Sequence, residues 1–81
     1  MARGSELPRL PRITAQDLLR ALRKDGWRTS RQEGSHITLK HPTKPGYVTV
    51  AYHSGTVLNP KTLARILDQA GLAADELRGL L

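Results

Sequence analysis

Eighty-one residues with thirteen Lys and Arg against seven Asp and Glu, three His and no Cys make one small domain, which buries only about 60% of its unfolded surface and has no disulfide or thiolate metal site to reinforce it. A net charge of +6 favours a polyanionic partner, nucleic acid before acidic protein. No apolar run approaches the roughly 20 residues that span a bilayer, and no apolar segment follows the basic N-terminus as in a secretory signal, so a cytoplasmic protein without a membrane partner is expected.

Residues 1–12, MARGSELPRLPR, hold three Arg and two Pro with no apolar period. They read as a flexible lead-in, which leaves one folded domain over 13–81. Thr14 with Asp17 three residues on forms a capping-box pattern, and Leu18, Leu19 and Leu22 follow as an apolar stripe with Ile13 placed to staple onto Leu18. Arg20, Arg23 and Lys24 lie off that stripe, and Gly26 ends the helix.

Three short strands are predicted next, over 27–33, 35–41 and 47–53, separated by the Gly34-Ser35 turn and the Pro42-Thr43-Lys44-Pro45-Gly46 loop. Side chains alternate along a strand, so Ile37 and Leu39 point one way and His36, Thr38 and Lys40 the other. Val48, Val50 and Tyr52 likewise oppose Tyr47, Thr49 and Ala51. One apolar and one polar face imply an antiparallel sheet covered on one side.

Asn59 caps a second helix with Pro60 at its first position. Leu63, Ile66, Leu67 and Ala70 form its buried stripe, and Gly71 closes it. A short last helix over 74–81 brings Leu77, Leu80 and Leu81 to seal the core, without a strong N-cap. Helix, three-stranded meander, helix and short helix describe an α+β fold with the helices on one face of the sheet.

Histidine is the natural proton-transfer residue near neutral pH. If the strand phases hold, His36 and His53 fall on the polar face, while His41, of opposite parity, reads as an edge or loop-packing residue. No HxH, HExxH or clustered Asp/His spacing appears, so neither a metal nor any other cofactor is expected. Cleavage of RNA needs little apparatus, because the 2′-OH is a built-in nucleophile. A base must take its proton, cations and hydroxyls must address the phosphate, and an acid must protonate the leaving oxygen. His36 with Thr38 and Lys40 meets that minimum, and a plain surface histidine meets the same pattern equally well.

The ordered residues Gly26-Trp27, Arg31-Gln32-Glu33-Gly34-Ser35-His36 and Lys40-His41-Pro42 resemble the signature of the HicA toxins of bacterial toxin–antitoxin pairs. The series Val48-Thr49-Val50, His53 and Lys61 to Leu72 resembles the second half of that family in order and spacing, and the likeness covers roughly residues 12–81. It implies a double-stranded-RNA-binding-domain-like fold and a metal-independent endoribonuclease that cuts mRNA and arrests growth. It also implies a HicB-type antitoxin as partner and His36 as the catalytic histidine. Arg31, Gln32 and Lys40 are then candidate RNA contacts and His53 a candidate second proton-transfer group. A non-catalytic RNA-binding module on the same fold is the alternative. The chain departs from the family in three places: Ile37 stands where a second histidine is common, Ala51-Tyr52 where a proline is, and Lys61 where a glycine is.

Overall fold

The computed structural model describes residues 10–81. Its elements run α1 (Ala15–Lys24), β1 (Arg28–Glu33), β2 (His36–Lys40), β3 (Tyr47–Ala51), α2 (Pro60–Ala70) and α3 (Ala74–Leu80). The sheet is antiparallel in the order β1-β2-β3. This is the α+β arrangement expected from the residue pattern, and it agrees with the double-stranded-RNA-binding-domain-like fold that the family resemblance implies. Most of the 1–12 lead-in lies outside the described residues; of its last three, Leu10 packs half-buried against the core.

Local chemistry sets the helix ends. The Thr14 hydroxyl accepts from the Asp17 backbone N–H at 3.2 Å and the Asp17 carboxylate accepts from the Thr14 N–H at 3.2 Å, so two orphan donors of the first turn satisfy each other's residues. For α2, the Asn59 side-chain oxygen accepts from the Lys61 N–H at 2.8 Å, Pro60 takes the first position, and Gly71 terminates it in the left-handed region at φ 67°. In α3 the Glu76 carboxylate reaches back to the Ala73 N–H at 2.8 Å, a half-box that compensates for an alanine cap.

The core lies between the helices and one face of the sheet. Leu18 and Leu22 of α1, Leu39 of β2, Val48 and Val50 of β3, Leu63 and Ile66 of α2, and Leu77 of α3 are fully buried. Each such side chain contributes about 1.5–3 kcal/mol relative to exposure. Ile13 and Leu18, the expected staple, are both in this cluster. The third apolar residue predicted for the α3 seal behaves differently: Leu81 is 47% exposed, because the helix ends at Leu80 and the last residue runs past the layer.

Two features of the sheet place the functional side chains. Glu33-Gly34-Ser35-His36 is a two-residue hairpin with Gly34 at φ 57° and no non-glycine residue at positive φ, as a turn with Gly at its first central position requires. Glu33 therefore pairs with His36, Gln32 with Ile37 and Arg31 with Thr38. At Ser30 the register shifts by one residue, so that Thr29 pairs with Leu39 and Arg28 with Lys40. That bulge turns Trp27 onto the core face, where it is fully buried, and leaves Arg28 on the polar face.

Candidate functional site

The uncovered face of the sheet carries His36, Thr38 and Lys40 from β2, flanked by Arg28, Arg31 and Glu33 from β1 and by Tyr47, Thr49 and Ala51 from β3. His36 is exposed at the turn end of β2, and its cross-strand neighbours are Glu33 on one side and Ala51 on the other. One step along the strands lie Arg31, Thr38 and Thr49. The two threonine hydroxyls approach each other at 3.4 Å, and the Arg31 guanidinium pairs with the Glu33 carboxylate at 2.6 Å.

Lys40 shares the face but occupies the far end of β2, four residues and thus ~13 Å along the strand from His36 at the usual rise. Arg31, diagonal to His36, is the nearer cation by register. Gln32 pairs with Ile37 and so belongs to the helix-side face, where its amide donates to the Gly34 carbonyl at 3.2 Å; it stabilises the turn. The third strand ends at Ala51, two residues short of its expected limit. His53 is consequently exposed beyond the pleat, where its carbonyl accepts from the Thr56 N–H at 3.2 Å in the following turn.

His41 has a different setting. Its Nδ1 accepts from the backbone N–H groups of Thr43 and Lys44 at 3.1 and 3.0 Å, which leaves Nε2 to donate to the Asp25 carbonyl at 2.7 Å. The ring also meets Trp27 edge-on at 5.2 Å between centroids. Both ring nitrogens are thus committed to holding the β2–β3 loop against the end of α1, in keeping with a loop-packing histidine.

Two residues on the polar face carried no signal strong enough to be singled out from the sequence. Glu33 gains its place opposite His36 through the hairpin register. Tyr47 looked like ordinary outward decoration, yet it is 57% exposed and lines a shallow depression with Ser30, Arg31, Glu33 and Thr38. Basic side chains extend around the edge of the molecule: Arg20, Arg23, Lys24 and Arg28, with the neutral Gln16, line one groove, and Arg28 continues into a second with Lys40 and His41. Among the described residues no carboxylate lines either groove. Among the described residues no group of three or more His, Asp or Glu is placed to hold a metal ion, and no helix is long and apolar enough to cross a membrane.

A helix-backed sheet whose free face joins an exposed histidine to arginine, lysine and threonine belongs to the class of small α+β domains suited to polyanionic partners. The family model described as HicA toxin of bacterial toxin-antitoxin matches residues 15–72, and the chain belongs to that family. It is therefore a toxin of the toxin–antitoxin type. No curated protein matches the chain.

Proposed function

We propose that this toxin is a metal-independent endoribonuclease that cleaves mRNA in the cytoplasm, with His36 as its catalytic histidine and a HicB-type antitoxin as its inhibitor. The observation that carries the reading is the exposed His36 imidazole on a face where Arg31, Thr38 and Thr49 lie one step along the strands, in a chain of the HicA family. His36 takes the proton of a ribose 2′-OH as that oxygen attacks the adjacent phosphorus. Arg31 and the threonine hydroxyls then meet the charge that develops on the phosphorane oxygens. The leaving 5′ oxygen needs a proton; His53, just past the end of β3, is the candidate donor, and the imidazolium formed on His36 is the other. Lys40 and the basic grooves along α1 hold phosphates farther along the strand, and Gln32 is left out of the site.

The test is direct. Purified protein shortens labelled RNA in buffer containing a chelator, and His36→Ala lowers the cleavage rate by about 10²–10⁴-fold, the usual contribution of a positioned acid or base. Wild-type protein that shifts RNA on a gel without shortening it marks a non-catalytic binding module instead. A His36→Ala chain that cleaves at the wild-type rate removes the histidine from the mechanism.

A further inference from the structure

We infer that Tyr47 is a base-stacking subsite for the single-stranded substrate, positioned beyond the scissile phosphate on the same sheet face; the inference rests on the RNA-cleaving reading above. Tyr47 opens β3 opposite Lys40, and the Lys40 Nζ lies 5.5 Å from the centre of its ring. The chain has one Trp, two Tyr and no Phe. Trp27 is buried and Tyr52 half-buried against the core, so Tyr47, 57% exposed with the Lys40 ammonium over one side of it, is the one exposed Trp or Tyr ring among the described residues. It stands on the polar face, and it borders the depression lined by Ser30, Arg31, Glu33 and Thr38.

The chemistry of these neighbours selects the occupant. A base stacked on the tyrosine ring has its phosphates within reach of a cation on either side, Lys40 at the strand end and Arg31 across β2. An aromatic platform flanked by positive charge is how single-stranded nucleic acid is held without reading its sequence. A duplex cannot use such a platform, because its base faces are already stacked on one another; unstacked single strands can. The strand spacing between Lys40 and His36, ~13 Å, sets the stacked base apart from the nucleotide being cut. Tyr47 is therefore a positioning residue, and it touches the substrate away from the reacting atoms.

Binding separates this role from catalysis. The probe is a short single-stranded RNA carrying 2′-O-methyl groups, which lacks the nucleophile and stays intact on the wild-type chain. Tyr47→Ala is expected to bind it about 5- to 150-fold more weakly, the range for loss of one stacked base. Tyr47→Phe, which keeps the π-face, should bind within about twofold of wild type, and the dependence of affinity on salt should be the same for all three because no charge has changed. Tyr47→Ala binding as tightly as wild type overturns the subsite and leaves the RNA reading standing, with antitoxin contact as the remaining use of the ring. Tyr47→Phe as weak as Tyr47→Ala also overturns it, since the hydroxyl would then be the contact. A wild-type chain with no affinity for the probe at low salt overturns the RNA reading itself and the subsite with it.

Discussion

The Nε2 of His41 lies 2.7 Å from the carbonyl oxygen of Asp25, and that contact fastens the β2–β3 loop to the C-terminal end of α1. The same corner holds the Lys44 ammonium, 2.7 Å from the Asp25 carboxylate and 2.9 Å from the Ala70 carbonyl. One loop thus ties down the ends of both long helices, where unpaired carbonyls and the negative end of the helix dipole favour a cation.

Two histidines five positions apart should therefore fail in different ways. His41→Ala removes the bond to Asp25, the acceptor for two loop N–H groups and the edge contact with Trp27. The expected cost is about 2–3 kcal/mol, or roughly 10–20 °C in Tm for a domain of this size. His36→Ala touches no core atom and should melt within a degree or two of wild type while losing RNA cleavage. Thermal unfolding by circular dichroism, with cleavage measured well below either Tm, checks the pair. Equal destabilisation by the two substitutions contradicts this division of labour.

The capping box at α1 predicts an acid sensitivity with a definite sign. The Thr14 N–H first, then the Thr14 hydroxyl and the Arg20 guanidinium, hold the Asp17 carboxyl below its ordinary value of 3.8. A carboxyl whose folded value is depressed stabilises the fold above the unfolded value, and that support fades as the pH falls through the depressed one. Urea midpoints of wild type and Asp17→Asn should thus differ by a constant amount near neutrality and converge at acid pH. Thr14→Ala, which removes the cap itself, should cost about 1 kcal/mol and persist as a deficit after Asp17 is protonated. A gap between wild type and Asp17→Asn that widens on acidification would falsify the assignment.

The basic groove along α1 should register in salt dependence. Arg23 donates to the Thr29 hydroxyl at 3.4 Å and Lys24 sits beside it in the last turn of the helix, so replacing both with Gln disturbs no buried group. For single strands each neutralised phosphate contributes about 0.7 to the slope of log affinity against log salt, so the double variant should flatten that slope by up to about 1.4. Titrations of a long single-stranded RNA across a salt series supply the measurement. An unchanged slope would show that RNA does not pass over this groove.

The parts of the fold legible in the sequence are those whose causes are local. Thr14 with Asp17, Asn59 with Pro60, and Gly71 each announce a helix end within four residues, and the alternation Ile37-Thr38-Leu39 announces which way β2 faces. The Gly34-Ser35 turn sets strand register as well as the reversal of the chain. A two-residue hairpin fixes Glu33 opposite His36 and so sends Gln32 to the other face, away from the histidine. What sequence could not supply depends on distant partners. The strand expected over 27–33 is present as β1, but every residue of it is exposed, so RTSRQE has no apolar period and its bulged register is set by pairing with β2. His41 acquires its role from Asp25, on a different element, and β3 stops before His53 because the chain turns at Ser54-Gly55 instead of continuing along β2.

Of these non-local features, the bulge at Ser30 permits the sharpest test. Counting back from the fixed hairpin turn, leaving Ser30 out of the ladder is what lets Trp27 face the core while Arg28 pairs with Lys40. Inserting a second serine after Ser30 leaves the turn, β2 and every core side chain in the sequence, but turns Trp27 toward the polar face or pushes the hairpin out of register, because a one-residue slip exchanges the two faces of a strand. Expelling the one tryptophan from a thin core should cost on the scale of Trp→Ala, about 3–5 kcal/mol, a large part of the stability of a small domain. The emission of Trp27 should move to longer wavelength and quench readily with iodide, and the thermal transition should fall or lose cooperativity. Unaltered emission and Tm in the insertion variant would mean that the chain absorbs the added residue in a wider bulge or at the α1–β1 connection, and that strand parity at Ser30 has no part in seating Trp27.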